Sequence, residues 1–183
     1  QNSRPASGSN SYALIEDGAL SFGTLEYYSQ INMEKPQTDL AVGTKYVLEF
    51  DYRFNSRGEF TTGTKYGSML GRLSFLTNGN SNIAYVDVYY DSTSDEKVSL
   101  CFNNSGATFT SVKAGEWHKI CMELEVTESG ANIVYKLDGN TVLSTTTSTA
   151  ATAMKGFQGI VYNTAAQEHS FDNFVFAVIP AAE

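Results

Sequence analysis

Apolar and polar positions alternate with a period of two along most of the chain, and helical periodicity is nearly absent. Residues 46–54 are the clearest case: Val47, Glu49, Asp51 and Arg53 fall on one side, and Leu48, Phe50 and Phe54 on the other. Successive side chains of a strand point to opposite faces, so this pattern predicts a strand with one buried and one solvated face. The same reading predicts strands over 70–77, 83–90, 97–102, 108–112, 117–126, 132–138, 141–147, 157–162 and 170–179. Between them lies turn chemistry. Asp138-Gly139-Asn140 is a strong hairpin signal, because these residues tolerate the positive φ of tight turns; residues 103–106, 113–115 and 128–130 punctuate the chain similarly. The three prolines, at 5, 36 and 180, interrupt no candidate central strand. Residues 144–153 read as a strand end plus loop, and Ala165-Ala166-Gln167-Glu168 as a single helical turn. Many short strands with evenly spaced turns predict an all-β fold, a two-sheet antiparallel β-sandwich.

Composition narrows the partners. With 42% hydrophobic and 17% charged residues the chain is too apolar for disorder, and apolar runs such as 174–178 are far too short for a membrane span. Twenty acidic against twelve basic residues give a net charge of −8, which disfavours nucleic acid, anionic membrane surfaces and highly acidic polysaccharides. Neutral glycans, proteins and cations remain. Residues 1–10, polar and rich in small side chains, read as a linker or a remnant of expression, and 180–183 as a second linker. The expectation is one module over 11–179, covalently joined to neighbouring domains of a larger extracellular or cell-surface protein. Cys101 and Cys121 fall on strands that a simple meander separates by a third, so two free thiols are expected.

Residues 46–54, Gly115-Glu116-Trp117-His118-Lys119-Ile120, Tyr135-Lys136-Leu137-Asp138-Gly139-Asn140 and Phe171-Asp172-Asn173-Phe174, in that order, resemble the concanavalin A-like lectin/glucanase superfamily. That group includes laminin G-like domains and bacterial carbohydrate-binding jelly rolls. The resemblance spans about residues 12–179. It implies a jelly roll with one curved sheet and ligands held on or beside the concave face. Members that hydrolyse β-glucans carry Glu-x-Asp-x-Glu on that face; here the comparable strand reads Tyr85-Val86-Asp87-Val88-Tyr89. Retaining hydrolysis needs two carboxyl groups about 5–5.5 Å apart, and tyrosines stand at both positions. The resemblance also implies one of two roles for Asp172: a calcium ligand together with Glu16 or Asp17, or an acceptor of backbone hydrogen bonds.

Two rows of side chains are candidate ligand contacts. Glu49, Asp51 and Arg53 form either a solvated face with an internal ion pair or a hydrogen-bonding floor for sugar hydroxyls. Tyr85, Asp87 and Tyr89 form a polar-aromatic row opposite the apolar Ala84, Val86 and Val88, a pattern suited to stacking on pyranose C–H groups and equally common in plain strands. Arg72 and Ser74 are expected between the two rows on one sheet. Tyr66, in the long stretch 58–67, is a further candidate. Trp117 is read as structural, covering a sheet edge, with His118, Ile120, Met122 and Leu124 facing inward. His118 and His169 lack partners at metal-ligand spacing, and the acidic stretch 91–96 reads as a solvated turn.

Three functions compete. The leading one is a non-catalytic carbohydrate-binding module for a plant or other neutral polysaccharide or oligosaccharide. The others are a structural or adhesion module of a surface protein, and a divergent glycoside hydrolase or polysaccharide lyase.

Overall fold

A computed structural model describes residues 11–24, 28–39, 41–56, 69–77, 83–91, 94, 96–102, 108–148, 153–162 and 167–181. Thirteen strands form two antiparallel sheets packed as a β-sandwich, and no helix occurs among the described residues. The strands are β1 (Ser11–Glu16), β2 (Ala19–Thr24), β3 (Tyr28–Asp39), β4 (Lys45–Ser56), β5 (Met69–Thr77), β6 (Tyr85–Tyr90), β7 (Lys97–Phe102), β8 (Thr108–Lys113), β9 (His118–Thr127), β10 (Gly130–Leu137), β11 (Asn140–Thr147), β12 (Ala153–Tyr162) and β13 (Gln167–Ile179). The seven-stranded sheet runs β1-β2-β13-β4-β9-β10-β11, and the six-stranded sheet β3-β12-β5-β6-β7-β8.

The inner faces are apolar as the alternation requires. Leu48, Phe50, Tyr52 and Phe54 of β4 are buried with Leu73, Phe75, Val86, Val88, Leu100 and Phe102 of the opposite sheet. Phe157 of β12 crosses between layers, 5.2 Å from Phe50, 5.4 Å from Phe171 and 5.2 Å from Phe174, all edge-on, which suits the ring quadrupoles. Phe171 and Phe174 are three residues apart, yet both join this cluster. A bulge between Asp172 and Val175 makes that possible, with Asn173 in a left-handed conformation (φ +50°) that Asn tolerates.

Two hairpins close with two-residue turns in which both residues have positive φ: Asp17-Gly18 between β1 and β2, and Asp138-Gly139 between β10 and β11. Pro36 lies on β3, an edge strand, where a missing N–H is tolerated.

Three expectations need correction. Gln167 and Glu168 are strand, not helix, because they extend β13 between β2 and β4; Ala165 and Ala166 lie outside the described residues. The cysteines are free and buried, but they sit on different sheets, Cys101 on β7 and Cys121 on β9. β8 belongs to the six-stranded sheet and β9 to the seven-stranded one, so the assumed meander does not exist. Trp117 precedes β9, a strand flanked on both sides, and therefore covers no sheet edge.

The core also holds a polar chain. His169 is fully buried, with the Tyr52 hydroxyl 3.0 Å from Nδ1 and the Gln167 Oε1 3.2 Å from Nε2. An amide oxygen against Nε2 requires the Nε2–H tautomer, so Nδ1 accepts from the tyrosine. Burial pushes His169 down to about 3, so the ring is neutral at ordinary pH. Gly71 of β5 makes room for it: a Cβ there would stand 2.7 Å from the Ile160 carbonyl oxygen and 3.2 Å from His169 Cε1.

Two predictions follow from this packing. The unfolded chain takes up a proton on His169 near its ordinary 6.5 while the folded chain does not, so this histidine's share of stability is lost as pH falls from about 6.5 towards about 3. The folding equilibrium should change by roughly tenfold per pH unit from this group. In urea titrations, the deficit of His169→Gln relative to the parent should therefore narrow between pH 7 and pH 5; a constant deficit would contradict the assignment. Gly71→Ala, which forces a backbone contact, should lower stability by about 1–3 kcal/mol in the same assay.

Candidate functional site

The two candidate rows occupy opposite outer faces of the sandwich. β4 lies between β13 and β9, whereas β5 and β6 belong to the other sheet, so Arg72 and Ser74 do not lie between Glu49-Asp51-Arg53 and Tyr85-Asp87-Tyr89. Alternation reveals which side chains share a face of one strand. It carries no information about which layer the strand joins.

On the seven-stranded sheet, the outer face is laced by ion pairs. Lys119 lies 3.3 Å from Glu49 and 3.0 Å from Asp51, and Lys45 lies 3.9 Å from Glu123. Glu123 also accepts from Lys136. Burial pushes Asp51 up, but the Asn173 amide at 2.6 Å, the Lys119 hydrogen bond and the Lys119 charge together hold it below the usual carboxylate range. Arg53 takes no part in an internal ion pair with its strand neighbours. Its guanidinium lies over the Trp117 ring, 4.5 Å from the centroid, which gives the tryptophan its structural role. These carboxylates are already partnered, and the solvated-face reading fits them.

Asp172 stands opposite Asp51 in this sheet, and its Oδ1 accepts the backbone N–H of Asn173 at 2.7 Å. Asp17 occupies the β1–β2 turn and Glu16 the strand end before it. Among the described residues no three His, Cys, Asp or Glu side chains gather as a metal site.

The outer face of the six-stranded sheet is different. Register aligns three cross-strand rows: Asn32, Gln158, Ser74 and Tyr85; Gln30, Ile160, Arg72, Asp87, Cys101 and Phe109; and Tyr89, Ser99 and Ser111. At the centre, Arg72 grips Asp87 through two parallel bonds, Nε to Oδ1 at 2.6 Å and Nη2 to Oδ2 at 2.9 Å. The Tyr85 ring covers the guanidinium, 4.1 Å from its centroid. The Asp87 side chain is fully buried and that of Arg72 only partly so. Burial pushes the Asp87 carboxyl up, and the Arg72 hydrogen bonds and charge offset this only in part. The same burial, reinforced by the Asp87 charge, pushes the neighbouring Cys101 thiol up to about 11 and keeps it protonated.

Around this pair the face is amide-rich and aromatic. Asn32 Oδ1 accepts from Gln158 Nε2 at 3.2 Å and from Gln30 Nε2 at 3.0 Å. Tyr89 and the exposed Phe109 form a tilted ring pair 5.9 Å apart. The Tyr85 backbone N–H donates to the Tyr135 hydroxyl of the other sheet at 3.2 Å, which fixes the start of β6. At its far end, Asp91 is buried and accepts from the Ser99 and Ser111 hydroxyls, so it is not part of a solvated turn. Tyr66 lies outside the described residues.

Of the residues singled out in the sequence, Arg72, Tyr85, Asp87 and Tyr89 share this face; Gln30, Asn32, Gln158, Phe109 and Asp91 stand with them on it without having been singled out as ligand contacts. Alternating Gln30 and Asn32 with Ile31 and Met33 was the available signal on β3.

Sequence comparison finds no matching protein family and no similar curated protein. Solved structures share the fold. A sialidase superposes with TM-score 0.63 at 10% identity over 90% of this chain, and this chain spans only 16% of its length. A PL7 alginate lyase from Zobellia galactanivorans gives 0.61 at 12% identity, covering 98% of this chain and 84% of the lyase. The carbohydrate-binding module CBM66 from Bacillus subtilis gives 0.51 at 14% identity, covering 91% of each. At such identities the likeness extends to the architecture alone: the chain is an antiparallel β-sandwich of the jelly-roll type found in sugar-binding modules and a polysaccharide lyase.

Arg72→Ala should destabilise more than Asp87→Ala, because it strands a fully buried carboxylate, whereas the Arg72 side chain keeps 21% of its surface in solvent. The expected cost of Arg72→Ala is about 3 kcal/mol, with the double variant costing less than the two singles combined. A double-mutant cycle in urea measures this.

Proposed function

We propose that this chain is a non-catalytic carbohydrate-binding module that holds a neutral polysaccharide or oligosaccharide on the outer face of its six-stranded sheet. The carrying observation is the arrangement of that face, where the Tyr89–Phe109 ring pair and the Tyr85-capped Arg72–Asp87 pair stand beside the Gln30-Asn32-Gln158 amides. Rings stack on sugar C–H surfaces, while amides, hydroxyls and carboxylates match the mixed donors and acceptors of a pyranose. The concanavalin A-like resemblance and the sugar-binding jelly roll among the structural neighbours support the same reading. So does the tyrosine at each outer position of the Tyr85-Val86-Asp87-Val88-Tyr89 strand, which leaves glucanase chemistry without its two carboxyl groups. The net charge of −8 favours an uncharged ligand. Such a module acts outside the cell or at its surface, linked to other domains.

The split between the two faces makes the reading testable. Binding should be measured calorimetrically across neutral glucans, xylans, mannans and galactans. Tyr85→Ala/Tyr89→Ala should weaken binding by about tenfold or more, while Glu49→Ala/Asp51→Ala, on the far face, should leave affinity unchanged. The reverse pattern would move the site. Absence of binding across the panel would favour the structural or adhesion reading, and turnover abolished by Asp87→Asn would favour an enzyme.

A further inference from the structure

We propose that β11 is a docking edge for a second copy of this chain: two molecules join their seven-stranded sheets antiparallel, about a two-fold axis at Thr145.

Four strands end the two sheets, and three of them are defended. β3 contains Glu34, Lys35, Pro36 and Asp39, β1 ends in Glu16, and β8 ends in Lys113, with the exposed Lys97 of β7 directly opposite it. Charge and proline keep an edge from pairing with another chain. β11 has neither. It reads Asn140-Thr141-Val142-Leu143-Ser144-Thr145-Thr146-Thr147, and residues 139–154 include no charged side chain.

The backbone of β11 fixes how a second strand would meet it. The Thr147 carbonyl oxygen points at β10, so close to Gly130 that a Cβ at that position would collide with it. Thr147 pairs with Ala131, Thr145 with Ile133 and Leu143 with Tyr135, and this alternate set turns its N–H and C=O groups towards β10. Ser144 and Thr146 therefore turn theirs the other way, where no strand lies among the described residues. The register shift that leaves Val142 between the Thr141 and Leu143 pairs limits the regular ladder to residues 143–147, whose centre is Thr145. An axis there sets Ser144 opposite Thr146 of the second copy, and Thr146 opposite its Ser144. Each pair exchanges two backbone bonds, and the two exposed hydroxyl side chains meet on the outer face, a favourable cross-strand pairing.

Charge favours this edge over the others. Two chains of net charge −8 repel one another, and an uncharged seam adds least to that repulsion. On the same face, the next strand brings Asn132, Val134 and Lys136, and Lys136 is held by Glu123. Asp138 and Glu128 stand in the turns beyond the strand ends, and Asp138 is engaged by His118 and the Lys119 N–H. Four backbone bonds make a seam smaller than the roughly 1,200 Å² of a standard interface, so the association is weak, with Kd of about 0.1–1 mM. The axis stands perpendicular to the sheet, so both six-stranded sheets look the same way. On the glycan reading, a long chain then meets two faces at once; the seam itself does not depend on what those faces bind.

The test is sedimentation velocity of the sugar-free chain from about 10 μM to about 1 mM. The average mass should climb from 20.0 kDa towards that of a dimer, and climb further at higher salt, which screens the repulsion. Ser144→Lys/Thr146→Lys and Ser144→Glu/Thr146→Glu should each stay monomeric, because each sets like charges opposite one another at both pairs. An equimolar mixture of the two should associate at least as tightly as the parent, and Thr110→Lys on β8 should self-associate as the parent does. All substituted positions are on edge strands, and thermal transitions verify folding. A monomeric parent at 1 mM, like-charged variants that associate as the parent does, or a mixture that stays monomeric would each overturn the proposal. Loss of association in Thr110→Lys would move the seam to β8 and overturn it as well. The glycan panel is read separately: a dimer that binds no glycan upholds the seam, and a monomer that binds glycan overturns the seam alone.

Discussion

Everything on the outer faces depends on one contact between the layers, the wedge of Phe157 among Phe50, Phe171 and Phe174. It joins β12, the second strand of one sheet, to β4 and β13, in the middle of the other. Burying rings of this size stabilises by about 2–3 kcal/mol each, and edge-on geometry adds to that. More to the point, it fixes how the sheets lie. Gln158, the next residue after Phe157, must then point outward beside Asn32, so the same strand that seals the core also lays the amide part of the candidate site.

Two polar devices reinforce the wedge. The Tyr52–His169–Gln167 chain fills the core with fully partnered neutral groups, so it carries no charged group into the interior. The Tyr135 hydroxyl reaches across from β10 to hold the Tyr85 backbone, and through it the ring that caps Arg72. The rigidity of the candidate site is therefore inherited from the opposite sheet. A face built this way presents its rings already positioned, and preorganisation lowers the entropy cost of binding.

Much of this was legible in the chain. The alternation of residues 46–54 gave both faces of β4 correctly, and Asp138-Gly139 closed its hairpin as expected. β1, β2 and β3 were missed, because β3 is polar, contains Pro36 and runs at an edge where few apolar side chains are required. The bulge at Asn173 was equally hidden: strict alternation cannot place Phe171 and Phe174 on one face, and only a residue in the left-handed region reconciles them. For the candidate site, sequence supplied the rows along β6 but not the rows across the sheet. Cross-strand neighbours such as Asn32 and Gln158 stand 126 positions apart, and nothing local announces a partner at that distance. The same blindness placed Glu49-Asp51-Arg53 on the wrong sheet.

The position of β13 has a consequence for how the molecule is assembled. The last strand lies between β2 and β4, near the middle of the larger sheet. During synthesis, β1 and β2 must therefore wait for the final segment before they join the rest of their layer. Such long-range closure places the protein among slow-folding topologies, in which loop-closure entropy is spent before the contacts that reward it are made. Until then, β4 presents an unpaired inner edge, flanked by the apolar rings that will later surround Phe157.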